Sequence, residues 1–360
     1  MLHRAFLDSD SRTSVKESSM AIDLLFLNDK EMNEAGAGDM SSVIHDVERA
    51  YTLYAEGDAC MPGKIILPFG PRPEDEYTLG RINCMPGRVG GEYNIAGVKW
   101  VGSAPDNATR GLPRATATII LNDTVTKLPV CVCDGTEVSA MRTGASGGVA
   151  MKYLARENAR VITICGAGVQ GRTQLRAAVC VRPSIEKVYV YDLRYEASLQ
   201  FIEEMRLLFP ALEFVPVTKE TLPDACRESD IVDTATLAQE PFVMGEWLKP
   251  GSLAVNMSGY EMDQTCVERA SKVVVDFWET VKHRLHATVA HMAEEGKFAD
   301  ADLYAEINEL CSGRKPGRTS EEEIIYFNAV GAGILDLAVA ARCYHNAARE
   351  GKGTRVSYWA

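Results

Sequence analysis

The chain has 360 residues, 46% of them hydrophobic and 24% charged, with a formal net charge of -12. That balance is ordinary for a globular protein long enough for two domains. The acidity argues against a general nucleic-acid binder and against a ligand of anionic membrane surfaces. No uninterrupted apolar run is long enough to span a bilayer, and MLHRAFLDSDSRTSVKESSM lacks the apolar core of a secretory signal. Residues 1–20 are therefore expected to form a disordered extension, and the cytoplasm is the expected location. The ten cysteines show no disulfide spacing and read as reduced thiols. The pair Cys131 and Cys133 shares one face of a strand, but no further ligands with metal spacing accompany it, so no metal site is expected.

In chain order, residues 22–135 read as a mixed segment. A helix near Ser41 to Glu56 precedes strands at Lys64–Leu67, Arg81–Met85, Ile95–Val101, Thr116–Asn122 and Leu128–Cys133, separated by turn signals such as GSAPDN and LND. Consecutive strands with little helix between them predict an antiparallel sheet. A strong helix follows over Val138 to Ala155 and reads as a connector. From Arg160 strand and helix alternate: RVITIC, KVYVYD, LEFVPV, DIVDTA, SLAVNM and KVVVDF are the strands of an expected parallel sheet. The chain is then helical and charged, loops through SGRKPGRTSEEE, and ends in a helix over Gly333 to Glu350.

The run VITICGAGVQGRTQLRAAV places Gly166, Gly168 and Gly171 in G-x-G-x-x-G spacing between a strand and an amphipathic helix. That context suits a dinucleotide: the first glycine for the turn, the second for close approach to a pyrophosphate, the third for helix–strand packing. The next strand ends at Asp192, about twenty residues further on, where an acid accepts hydrogen bonds from ribose hydroxyls and repels a 2'-phosphate. NAD is the expected cofactor; the neighbouring Arg194 keeps NADP open.

Several polar residues do not fit packing. Lys99 interrupts the apolar strand Ile95–Val101, sharing a face with Ile95, Gly97 and Val101, and needs water, a partner or a ligand. Arg142 lies in the small-residue helix SAMRTGASGG, where close approach is allowed and a guanidinium can clamp a carboxylate; a structural ion pair is the equal alternative. Lys64 is a lone cation in an apolar strand, which a position at the strand edge, reaching solvent, would also explain. Ser258, Gly259, Glu261 and Asp263 follow a strand of the parallel sheet, at the end where such sheets bind ligands, and a carboxylate there can move protons. His283, His286 and His291 read as residues of a solvated helix.

Together, GVKWVGS, ATIILND, SAMRTGASGG, GAGVQGRTQLRA, GRKPGRTSEEEIIYFNAVG and GKGT resemble the ornithine cyclodeaminase / mu-crystallin family. The resemblance implies an α/β fold: a Rossmann dinucleotide-binding domain over 146–320 and an α+β substrate and dimerisation domain formed by 21–145 with 321–360. It implies that Lys99 contacts the substrate carboxylate and reacting centre, that Arg142 clamps the α-carboxylate, and that Lys64 stands where many members carry a second carboxylate-binding arginine. Glu261 stands where many members carry an acid–base aspartate. Thr143, Val169, Gln170 and Leu193 join Gly166, Gly168, Gly171, Asp192 and Arg194 around the expected cofactor, as do Thr236, Ser258 and Gly259. GGEYNIAGVKWVGSAPDN and KVVVDFWETVKHR are most similar to a branch that serves siderophore-type biosynthesis. That branch oxidises a secondary amine with NAD to give 2-oxoglutarate and L-2,3-diaminopropionate. The expected activity is thus NAD-dependent oxidation of the C–N bond of an amino-acid-derived secondary amine, in a homodimer. A cyclodeaminase, an imine (ketimine) reductase or amino-acid dehydrogenase, and a non-catalytic nucleotide-dependent binding protein are the alternatives.

Overall fold

The computed structural model describes residues 22–72, 75, 78–257, 259–283 and 287–359. The expected N-terminal extension, Ser258 and His286 lie outside the described residues. The strands before the glycine loop are β1 (Ile22–Leu27), β2 (Ala59–Cys60), β3 (Ile65–Pro68), β4 (Arg81–Val89), β5 (Ile95–Ser103), β6 (Ala115–Asp123) and β7 (Pro129–Asp134). Those after it begin with β8 (Val161–Cys165), β9 (Lys187–Tyr191), β10 (Glu213–Val217) and β11 (Ile231–Thr234). They continue with β12 (Leu253–Asn256), β13 (Lys272–Val275), β14 (Ala305–Glu306), β15 (Ile325–Asn328) and β16 (Thr354–Trp359). The helices are α1 (Asp29–Glu34), α2 (Met40–Ala55), α3 (Thr136–Leu154), α4 (Val169–Val181), α5 (Tyr195–Leu208) and α6 (Leu222–Glu228). Further on come α7 (Gln264–Glu268), α8 (Trp278–Val281), α9 (Thr288–Glu294), α10 (Ile307–Cys311) and α11 (Gly333–Glu350).

Among the described residues these strands form two eight-stranded sheets. The first runs β16-β1-β7-β6-β5-β4-β2, with β3 also on β4. It is antiparallel from β7 to β2, as the closely spaced strands predict, whereas β1 lies parallel to β7. The second is parallel throughout, in the order β10-β9-β8-β11-β12-β15-β13-β14. Its inner strands are short apolar runs, and IVDT, LAVN, KVVV and IYFN are buried along their whole length. Strands covered by helices on both faces have that pattern. The parallel sheet extends past residue 320, because β15 lies between β12 and β13. The return to the first sheet therefore follows Asn328 rather than residue 321.

Two close approaches join the parts. Cβ atoms at Gly144 and Gly148 would come within 2.6 Å of the Thr173 backbone and 2.9 Å of Ala177, and one at Gly147 would overlap Gln174 Oε1. The small residues of α3 thus admit α4, the helix that carries the glycine loop. In the first sheet Gly87 and Gly97 face each other in register across β4 and β5. They leave a shallow floor on which Ile334 and Leu337 of α11 pack. One continuous apolar core runs from this sheet through α2, α3 and α11 into the parallel sheet. All ten cysteines are free thiols. No helix among the described residues is long and apolar enough to cross a membrane.

Candidate active site

Lys99 lies on the buried face of β5, and its neighbour Trp100, on the opposite face, is 46% exposed. Lys99 itself is 1% exposed. Its ammonium donates to Asp336 Oδ1 at 2.8 Å and to Ser139 Oγ at 3.1 Å. Asp336 reaches it because α11 sits on the Gly87–Gly97 floor, two residues along β5 from Lys99. The same Asp336 oxygen accepts from Arg142 Nε at 3.0 Å. Burial pushes the Lys99 ammonium down to about 8; the Arg142 charge adds to that effect and Asp336 opposes it.

Arg142 leaves α3 beside a turn that only glycine fits. Gly331 has φ +77, and a Cβ there would overlap Arg142 Nη1. Asp276, at the end of β13, fixes this turn by accepting from Val330 N at 2.9 Å and Gly331 N at 2.7 Å. Burial raises the Asp276 carboxyl; the three backbone donors and Lys64 counter it. Lys99 and Arg142 thus meet on Asp336, while Lys64 acts on Asp276, which holds the Gly331 turn beside Arg142.

Asp336, Asp276 and Ser139 are the residues that the reading of the sequence missed. Asp336 had a local signal: it is the one acid in GILDLAVAA, a stretch that the structure buries. Asp276 and Ser139 had none, since their roles depend on partners far away in the chain.

Glu261 takes a different position. Its Oε1 accepts from Thr236 N at 2.8 Å and from Thr236 Oγ1 at 3.2 Å. The Asn256 amide, oriented to pair its donors with acceptors, gives its nitrogen to Oε2 at 3.1 Å. Burial pushes the carboxyl up to about 7 against the Thr236 hydrogen bonds. Among the described residues, no hydrogen bond joins Glu261 to Lys99 or Arg142. Gly259 is packed so tightly that a Cβ would overlap the Glu261 carboxylate. Asp263 precedes α7 and binds Gly245 N at 3.1 Å and the Thr265 hydroxyl at 2.6 Å, a structural use of its charge.

The glycine loop fits a dinucleotide. Gly166 has φ +111, and a Cβ there would meet Ala235 O at 2.5 Å. Gly168 starts α4 and faces open space, and a Cβ at Gly171 would overlap Gly166 O. The first turn of α4, with Val169 exposed and Gln170 beside it, therefore presents backbone N–H groups to solvent-side anions. Asp192 ends β9. Its Oδ2 accepts from Ala167 N and its Oδ1 from Arg194 N, each at 2.9 Å. A carboxylate offers about four lone-pair sites, so acceptors remain for ribose hydroxyls. Leu193, 91% exposed, and Arg194 form the rim. Thr143 lies beside α4, its carbonyl accepting from Gln174 Nε2 at 3.2 Å.

The profile of the ornithine cyclodeaminase/mu-crystallin family matches residues 29–351. The chain belongs to this family. N-((2S)-2-amino-2-carboxyethyl)-L-glutamate dehydrogenase of Staphylococcus aureus is a member with which it shares 33% identity over 94% of this chain and 99% of the relative. The structure of an archaeal alanine dehydrogenase dimer with bound NAD superposes with a TM-score of 0.84 at 33% identity, covering 94% of this chain and all of that one (100%). Thermococcus litoralis Delta(1)-pyrroline-2-carboxylate reductase, in complex with NADH and L-proline, gives a TM-score of 0.84 at 35% identity over 92% of this chain and 100% of that chain.

Proposed function

We propose that this family member is an NAD-dependent dehydrogenase acting on the C–N bond of an amino-acid-derived secondary amine. The products are a 2-oxo acid and a primary amine, such as 2-oxoglutarate and L-2,3-diaminopropionate. The observation that carries the reading is the buried cationic cluster: Lys99 and Arg142 share one oxygen of Asp336 and retain donors for a further carboxylate. The relative from Staphylococcus aureus, named for that oxidation, supports the substrate class.

NAD, when bound at the glycine loop, supplies the hydride acceptor. The chain's residues do the rest. Arg142 binds one substrate carboxylate through its Nη edge, and Lys64 holds a second. Lys99 orients the reacting carbon and nitrogen and polarises the imine or its attacking water. Loss of hydride from carbon and of the proton from nitrogen leaves an imine. Water adds to the imine carbon, and the C–N bond then breaks to the oxo acid and the amine. Glu261, poised near pH 7, accepts the amine proton and later activates that water; this requires its carboxylate to turn from Thr236 toward the substrate.

We also propose a homodimer. On the face opposite Lys99, the register aligns Phe26, Val132, Ile120 and Val98, with Trp100, Cys84 and Ile65 beside them. Phe26, Trp100 and Ile65 are each more than two-fifths exposed, and an apolar patch of this kind calls for a partner.

The similar alanine dehydrogenase and pyrroline-carboxylate reductase favour a second reading, dehydrogenation or imine reduction of a smaller amino acid. A substrate panel separates the two. The first reading expects the highest kcat/KM with NAD and a secondary amine carrying several carboxylates. Faster turnover of alanine, or of a cyclic imino acid with NADH, would establish the second.

A further inference from the structure

We propose that Asp336 is the positioning residue of this site, holding the Lys99 ammonium and the Nε edge of the Arg142 guanidinium on a single carboxylate oxygen. The inference deepens the functional reading above and rests on it. The geometry assigns each donor. Lys99 has three N–H groups; Asp336 and Ser139 take two. Arg142 gives Nε to Asp336, while Nη1 and Nη2 lie along Gly331. Asp336 thus occupies the inner donors of both cations and leaves one ammonium N–H and the guanidinium fork for substrate.

Stability alone does not account for this arrangement. Asp336 is fully buried in a helix segment whose neighbours Ile334, Leu335, Leu337 and Ala338 are apolar and equally buried. An apolar residue would pack there without desolvating a charge. Its second oxygen, Oδ2, is buried with no hydrogen-bond partner among the described residues, an unfavourable state that a purely structural pair avoids. Two cations share one anion, so the cluster stays net positive and suits a carboxylate.

The charged groups facing Lys99 are Arg142 from α3 and Asp336 from α11. Its register partners Met85 on β4 and Ile119 on β6 bring no charge. Removing the Asp336 charge leaves Arg142 unopposed, so Lys99 holds its proton less tightly.

Acetylation of Lys99 across pH 6–10, read by mass spectrometry on the full chain with NADH and referenced to exposed Lys30, tests this without any substrate. A failure here is thus separate from a failure of the proposed reaction. The wild type is expected to show an inflection near 8. Asp336→Asn should move it down by about one unit or more, raising Lys99 reactivity at pH 7 about fivefold to tenfold. Asp336→Glu and Ser139→Ala should each leave it within about half a unit. An unmoved inflection in Asp336→Asn, or an equal shift in Ser139→Ala, overturns the proposal. Should Asp336→Asn fail to bind NADH, the decision passes to kcat. Asp336→Glu, which keeps the charge but displaces the oxygen, must then lower kcat about tenfold or more, with Ser139→Ala lowering it less than about threefold. Equal losses overturn it.

Discussion

The backbone of Gly331 packs against the guanidinium of Arg142 so closely that Cζ would lie 3.2 Å from a Cβ at that position. The turn is in turn tied to Asp276 of the parallel sheet. Placement of the proposed carboxylate clamp therefore depends on a glycine in the turn after β15. Gly331→Ala would strain a left-handed backbone by about 1–3 kcal/mol and displace the guanidinium. We expect kcat/KM to fall roughly tenfold or more, mainly through KM, with NADH affinity unchanged. Steady-state kinetics beside an NADH fluorescence titration check this, and an unchanged KM would count against the clamp.

Lys99→Ala should abolish turnover while sparing NADH binding. The side chain is buried in β5 against Asp336, whereas the glycine loop is built on β8 and α4. Retained turnover in a folded Lys99→Ala protein would remove the lysine from the mechanism.

Glu261 links activity to pH and stability. Its folded-state carboxyl, near 7, lies above the ordinary glutamate value, so the fold favours the protonated form. That contribution is fully present below the ordinary value and is lost as pH rises through 7. Glu261→Gln is neutral throughout, and the Asn256 amide can turn to match it. The variant should thus gain stability relative to wild type between pH 5 and pH 8, by about 3 kcal/mol at most. Its turnover should fall about 100-fold or more. Urea unfolding at both pH values reads the difference; a gap that does not change with pH would contradict the assignment.

Gly147 tests the contact between α3 and α4. Gly147→Ala pushes on Gln174, which also holds the Thr143 carbonyl. Overpacking there should destabilise by about 1–3 kcal/mol and weaken NADH binding at the same time. Thermal unfolding with and without NADH reports both.

Much of this site was legible because its signals are local. The strand–glycine loop–helix pattern lies within Val161–Val181, and Lys99 stands out within a single strand. The small residues of α3 announced a close approach, though not that α4 makes it. β15 was missed because its four residues acquire meaning only between β12 and β13, more than fifty residues away in the chain. β1 and β16 pair the two ends of the described chain and carry little local pattern. Asp336 was readable as a lone acid in an apolar helix, but its partner Lys99 lies 237 residues away. Glu261 was expected as the acid–base group; its carboxylate accepts from Thr236, in the loop after β11, a partner that no local pattern announces.

Asp192 tests the cofactor assignment. It accepts from Ala167 N and Arg194 N, and a carboxylate there would repel a 2'-phosphate. Asp192→Asn should raise the NADH dissociation constant about tenfold and narrow the preference over NADPH. A variant with unaltered preference would place discrimination elsewhere.

The most direct test of the central claim is product stoichiometry. The protein is incubated with NAD and N-(2-amino-2-carboxyethyl)-L-glutamate, and NADH, 2-oxoglutarate and ammonia are followed together. The account predicts one 2-oxoglutarate for each NADH and no ammonia. Ammonia released without net NADH would contradict it and identify a cyclodeaminase.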